Sequence, residues 1–226
     1  MGLVIFLILL AFSSCLSWVK IDNNTKQFVD SQGRVMIFHG VNAVFKIPPF
    51  VPIVNHFDAN NSLSEDDAKN LSKWGINIVR LGIEWAGLLI DNNTLNETYL
   101  TLMDQIISTL SNYGIYTLID NHQDLLSRYF CGEGMPDYIE KTLTPAWQFP
   151  KPLISHIEFE PNGYPTLESC MKHEFAEFYF SDKVVKAFQD MYTNNTFIYN
   201  QLLKYWDIIS KRYANNSNVI GYELIN

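Results

Sequence analysis

Four stretches of this chain end in polar side chains that a buried strand has no need of. They are His39-Gly40-Val41-Asn42, Arg80 with Glu84, Asp120-Asn121-His122-Gln123-Asp124, and Glu223 with Asn226. Together they offer hydrogen-bond acceptors, donors and one permanent cation. Residues at the carboxyl ends of parallel strands form the functional site in both open and closed α/β folds, so these positions are the first candidates for chemistry. The sequence contains no G-x-G-x-x-G, Walker A, H-E-x-x-H, C-x-x-C or G-x-S-x-G pattern. The usual nucleotide, zinc, redox and lipase-type signatures are therefore missing.

The elements that must carry these residues follow from periodicity. Apolar runs at 35–41, 76–83, 115–122 and 218–226 predict four strands, the first of them buried on both faces. Ser62 with Glu65 has capping-box spacing and opens a helical face of Leu63, Ala68, Leu71 and Trp74 that ends before Gly75. Thr94 with Glu97 repeats the arrangement ahead of Leu95, Tyr99, Met103, Ile106, Ile107 and Leu110, and Gly114 ends it. Phe197, Ile198, Leu202, Trp206, Ile209 and Tyr213 mark a third helix face before the last strand. This is the rhythm of βα units, which demands a parallel sheet. Residues 19–34 read as a short hairpin. Residues at about 125–195 break the rhythm with a Pro-, Gly- and aromatic-rich connection, helical only around 167–178 and 184–191. Four such strands cannot close an eight-stranded barrel of about 250 residues, so the reading at this level is a smaller open sheet or part of a larger chain.

Composition narrows the partners. The chain has 226 residues, 47% hydrophobic and 18% charged, so it can bury a core. Its formal net charge of −8 argues against a surface that works on phosphate backbones or anionic lipid, and nucleic acid is not an expected partner. The apolar run 3–16 has the length of a signal-peptide core, short of the ~20 residues a spanning helix needs. Residues 1–17 are read as a signal peptide and 18–226 as one domain, with a secreted or lysosomal destination. In that oxidising setting Cys131 and Cys170 are expected to pair. Asn-X-Ser/Thr sites begin at Asn23, Asn60, Asn70, Asn92, Asn96, Asn194 and Asn215 and become glycosylation candidates.

The motifs GVNAVFKIPPF, GINIVRLGIEW, DNHQDLLSRYFCGEGMPDY and NVIGYELIN resemble those of the endoglycoceramidases, retaining glycosidases of glycoside hydrolase family five. The resemblance runs from about Val35 to Asn226. It implies the N-terminal half of a (β/α)8 TIM barrel, incomplete in this chain, that hydrolyses the bond between oligosaccharide and ceramide without metal or organic cofactor. Such chemistry needs two carboxyl groups about 5–5.5 Å apart, one attacking the anomeric carbon and the other protonating the leaving oxygen. The family reads Asn-Glu-Pro at the end of the fourth strand, so the resemblance places the acid/base immediately after Asn226 and the nucleophile later still. The 226 residues would then be inactive on their own.

Residue by residue, the resemblance implies that Asn226 holds the sugar 2-hydroxyl and that Arg80 lies below the nucleophile, where a fixed cation keeps a carboxylate ionised. His122 and Asp124, next neighbours but one on a strand edge, would grip adjacent hydroxyls of the cleavage-site sugar. Lys46 would donate to hydroxyls from the first loop. Taken alone, Lys46 reads as a solvated lysine and Arg80 as half of an ion pair with Glu84 or a nearby Asp. Glu84 and Glu223 do not align with the family glutamates and are set aside, and Trp85 reads as core. Phe45, Ile47, Pro48, Pro49 and Phe50, with Tyr129, Phe130 and Met135, are candidates for an apolar groove that takes ceramide. The expected partner is thus a glycosphingolipid or another glycoside, met at a membrane surface through the substrate, with no stable protein partner. The alternatives are an inactive carbohydrate- or glycolipid-binding protein and a related retaining glucosidase or glucanase.

Overall fold

The computed structural model of the chain describes residues 17–143 and 156–226. The apolar run 3–16 lies outside them, and among the described residues no helix is long and apolar enough to cross a membrane. The chain opens with a small antiparallel pair, β1 (Lys20–Ile21) and β2 (Phe28–Val29). It then alternates β3 (Gly40–Ala43), α1 (Glu65–Lys73), β4 (Ile78–Gly82), α2 (Trp85–Leu88), α3 (Glu97–Asn112) and β5 (Tyr116–Asp120). Helices α4 (Asp137–Leu143), α5 (Leu167–Met171), α6 (Asp182–Tyr192) and α7 (Phe197–Tyr213) separate β5 from β6 (Val219–Glu223). Strands β3 to β6 form one parallel sheet in sequence order. Each crossover passes through helix, so this is an α/β fold consistent with part of a (β/α)8 barrel.

Period-two alternation divides the strands between two environments. Val79, Leu81 and Ile119 are fully buried and belong to one apolar cluster with Met103, Ile106, Ile107 and Leu110 of α3 and Tyr205 and Ile209 of α7. The intervening residues of β4 and β5, Arg80, Leu118 and Asp120, therefore point to the other face. Register places Asp120 opposite Glu223 across the β5–β6 pair. That alternate face becomes the polar interior.

Both predicted helix starts are shifted by local hydrogen bonding. The N-cap of α1 is Ser64, whose amide donates to the Asp67 carboxylate at 2.8 Å. Ser62 instead accepts from the Asp58 amide at 2.9 Å and donates to the Asp58 carbonyl at 2.8 Å, so it closes the preceding turn. The N-cap of α3 is Asn96, accepting from the Tyr99 amide at 3.1 Å, because Thr94 is tied into a turn on Asp91. The connection after β5 also contains a helix that its composition conceals, α4.

The first strand departs furthest from expectation. It spans only Gly40–Ala43, and Val35 and Ile37 are 52% and 80% exposed rather than buried on both faces. The Asn77 side chain explains this, since it donates to the Ile37 carbonyl and accepts from the His39 amide, both at 2.8 Å. A side-chain amide thus replaces strand pairing up to residue 39, and β3 forms one edge of the sheet. His39 consequently precedes β3 and sits at its amino end, away from the carboxyl edge. At the opposite edge of the sheet, β6 is buried only at Val219 and half-buried elsewhere, against the expectation of a buried strand.

Candidate active site

The interior polar face is organised by Arg80. Its Nε and Nη2 donate to the two carboxylate oxygens of Glu223 at 2.6 and 2.8 Å, and its Nη1 lies 2.9 Å from Asp120 Oδ2. Two strand-borne carboxylates thus share one guanidinium, whose planar fork matches them geometrically. The Arg80 hydrogen bonds hold Glu223 below its ordinary carboxylate range, and Glu223 in turn raises Arg80. Neither Arg80 partner is Glu84. Glu223, which sequence alone leaves as a framework residue, is that guanidinium's two-pronged partner.

Asp120 also sets the imidazole. His122 Nδ1 lies 2.9 Å from the same Asp120 Oδ2, a hydrogen bond that fixes the ring and leaves Nε2 facing outward. That Nε2 stands 3.8 Å from Asp124 Oδ2 and 3.9 Å from Glu133 Oε1. Lys46 joins them from the loop after β3, with its ammonium bonded to Asp124 and 3.1 Å from Glu133 Oε1. Burial works to lower Lys46, but the bond to Asp124 and the charge of Glu133 outweigh it and hold the ammonium protonated. Burial likewise works to raise Asp124, and the Lys46 bond brings it below its usual range. Glu133 moves the other way, pushed up to about 7 by burial and by its neighbour Asp124.

Lys46, His122 and Asp124, singled out from the sequence, therefore meet. Asn226 reaches the same edge: its Oδ1 accepts from the Gln123 amide at 2.8 Å, and Gln123 Nε2 donates to the Asn226 carbonyl at 3.2 Å. Asn226 is exposed, in keeping with a place at the rim. The cluster also contains one residue the sequence reading did not select, Glu133. Its signal lies in the flanking glycines of Cys131-Gly132-Glu133-Gly134. A Cβ at Gly132 would fall 1.9 Å from the Asp124 carbonyl oxygen, and one at Gly134 2.7 Å from the Gln123 Cβ. Small residues on both sides are what let this segment press against the end of β5.

His122, Asp124 and Glu133 bring one ligand atom each to within 4.8 Å of one another, a spacing a divalent ion could bridge. The Lys46 ammonium already forms ion pairs with both carboxylates, so a second cation there meets repulsion and the trio fits a lysine cradle better than a metal. The pairing of Cys131 with Cys170 is present and ties the Glu133 loop to α5. Trp85 is buried beside Tyr205, as core.

The expected apolar groove is divided. Ile47, Pro48, Phe50 and Met135 line a cavity of about 390 Å³ that also takes in Lys46 and Glu133. Phe45 and Pro49 open onto a larger cleft of about 1030 Å³ against α1 that Ile47 and Pro48 also border, Tyr129 stacks on Tyr164, and Phe130 is buried in the core. Glu84 is fully buried, and both its carboxylate oxygens lack a hydrogen-bond partner among the described residues. Burial first, then the charges of Glu133 and Asp120, raise it well above the ordinary range.

The parallel sheet thus carries a carboxyl edge lined by carboxylates, an imidazole and an ammonium. The chain belongs to the cellulase family, glycosyl hydrolase family 5, whose model matches residues 29–226. Within that family it is similar to the endoglycoceramidases: it is 39% identical over 210 residues to the endoglycoceramidase of Hydra vulgaris, covering 92% of this chain and 40% of that protein. The endoglycoceramidase of Cyanea nozakii is also 39% identical, over 209 residues, with 92% and 41% covered. Among solved structures, endo-glycoceramidase II from Rhodococcus sp. in complex with ganglioside GM3 superposes with a TM-score of 0.63 at 20% identity, over 87% of this chain and 41% of that one. That likeness speaks for the fold. The chain spans about two fifths of the length of the curated relatives it matches.

Proposed function

We propose that the protein hydrolyses the glycosidic bond between oligosaccharide and ceramide in glycosphingolipids by retaining double displacement. In this reading residues 18–226 supply the first half of the barrel, and the acid/base and nucleophile glutamates come from sequence following Asn226. The observation that carries the reading is the convergence of Lys46, His122, Asp124 and Asn226 on one carboxyl edge, from three separate segments. Such a constellation of donors and acceptors suits the hydroxyls of a sugar ring. It sits beside an apolar cavity that offers a first contact for the lipid part of the substrate.

Each residue takes a role its surroundings support. Lys46 and Asp124 hold hydroxyls as donor and acceptor, while Asp120 fixes His122 so that Nε2 meets a third. Asn226 grips the 2-hydroxyl, a bond that strengthens as the oxocarbenium-like transition state forms. Arg80 takes the place beneath the attacking carboxylate, its guanidinium held there by Glu223 and Asp120. No bound metal or organic cofactor has a part in these steps.

We further propose export through a signal peptide at 1–17, with sugar chains on the exposed Asn23, Asn60, Asn92, Asn194 and Asn215. Asn70 and Asn96 are half-buried, and Asn96 caps α3, so both are poorer acceptors. Mass spectrometry of secreted protein before and after peptide-N-glycosidase treatment checks this.

The deciding experiment is incubation of the full-length protein with lactosylceramide and with a ganglioside, followed by analysis of both products. Release of intact oligosaccharide together with free ceramide supports the reading. Release of glucose from simple glucosides alone moves the protein to the glucosidases, and binding without turnover makes it a glycolipid-binding protein.

A further inference from the structure

Glu133 is the one member of the edge cluster without a role in the proposed function. Its place is nevertheless built in detail. The Asp124 and Glu133 backbones exchange hydrogen bonds in both directions, at 3.0 and 2.8 Å, across an isolated antiparallel bridge. Glycines on either side permit the close approach, and the disulfide two residues earlier anchors the segment. The result is two carboxyl groups on adjacent backbones with a single ammonium between them, bonded to Asp124 and in ion-pair contact with Glu133 at 3.1 Å.

We propose that Glu133 is a positioning residue for the glycan, acting through Lys46: its carboxyl group, when ionised, ties up one of the ammonium's donors, and when neutral releases that donor to a sugar hydroxyl. The inference rests on the functional reading above. A lysine has three N–H donors; here one bonds Asp124, and the ammonium lies 3.1 Å from Glu133 Oε1, where an ionised carboxylate holds it by charge. An ionised pair also surrounds an incoming hydroxyl with acceptors. Protonation of Glu133 leaves Lys46 paired with Asp124 alone and adds a carboxylic O–H to the cluster.

The surroundings favour that protonation near neutrality. Lys46 faces Glu133 from the loop after β3, Asp124 and His122 from the end of β5, and Glu84 from behind β4. Arg128 and Asp137 line the same cavity but satisfy each other, with Arg128 Nε donating to Asp137 at 3.0 Å. Lys46 works against the shift, but a half-buried acid beside the Asp124 carboxylate gives up its proton late, at about pH 7.

The test is the pH dependence of KM for lactosylceramide, measured with the full-length protein as wild type, E133Q and E133A. The neutral fraction of an acid titrating near 7 falls from about nine tenths at pH 6 to about one tenth at pH 8. Wild-type KM is therefore expected to rise about tenfold over that interval. E133Q, permanently neutral, is expected to hold a single KM across the range, near the wild-type value at pH 6. E133A, which likewise has no carboxylate to engage Lys46, is expected to share the flat profile, with a KM near the wild-type value at pH 6. A wild-type rise that survives in E133Q, or an E133A profile matching wild type, overturns the proposal. Thermal melts of both variants exclude unfolding as the cause. If the wild type hydrolyses no glycosphingolipid, the functional reading fails separately. Calorimetric titration with lactose then decides: pH-dependent affinity that E133Q abolishes upholds the role of Glu133, and its absence overturns it.

Discussion

Arg80 and Glu223 lie 143 residues apart in the chain and meet through two hydrogen bonds, at 2.6 and 2.8 Å, across the intervening strand β5. The contact joins strands β4 and β6, which do not pair with each other, and takes Asp120 of β5 as its third member. One guanidinium thereby couples three consecutive strands of the parallel sheet.

Removing that guanidinium should be costly. Arg80→Ala leaves Asp120 fully buried with its charge uncompensated, and breaking a buried pair on one side costs about 3–5 kcal/mol. Arg80 is itself partly exposed, so the expected loss is at the lower end, about 3 kcal/mol. Denaturant unfolding of the full-length protein checks this. Arg80→Lys should recover only part of it, because a point charge cannot make the two-pronged contact.

The edge cluster predicts a graded loss of turnover. His122→Ala and Asp124→Asn each remove a hydrogen bond to substrate that involves a charged or polarised group, worth about 2 kcal/mol. A fall of about thirtyfold in kcat/KM on lactosylceramide is expected for each. Because both residues belong to one cluster with Lys46, the double variant should lose less than the product of the two. A strictly multiplicative loss would mean that the residues act independently.

The disulfide closes a loop of 39 residues that includes α4 and the Glu133 segment. Chain-entropy arguments put its contribution at about 4 kcal/mol as an upper figure, so the pair Cys131→Ser with Cys170→Ser should lower stability by about 2–4 kcal/mol. The melting temperature of the full-length protein with and without reductant reads the effect. Unreacted thiols at Cys131 and Cys170 in the folded, oxidised protein would contradict the pairing.

Glu84 predicts a slope of stability with pH. Its carboxyl is raised well above its ordinary value of 4.5 by burial, so the folded state binds a proton that the unfolded chain has already released. Stability is therefore expected to fall as pH rises from about 4.5 toward the raised value, because the folded state binds more protons than the unfolded one. Glu84→Gln, which carries no titrating proton, should flatten that decline. Chemical denaturation of both proteins between pH 5 and pH 8 checks the sign, and identical slopes would show that Glu84 is ionised in the fold.

Much of this molecule was legible in its residues. The parallel βα rhythm, the faces of α3 and α7, the Cys131–Cys170 pairing and the clustering of His122 and Asp124 follow from signals within a few residues of one another or from the chemistry of a residue type. Backbone periodicity and short motifs act locally, so a linear reading reaches them. What only the tertiary structure decided are the partners: Glu223 rather than Glu84 for Arg80, Glu133 beside Lys46, and His39 at the amino end of its strand. These depend on strand register, on which face each side chain takes, and on a loop pressed against β5 by two glycines. Such relationships arise when distant segments are packed together, and the chain carries them only through the sum of its contacts.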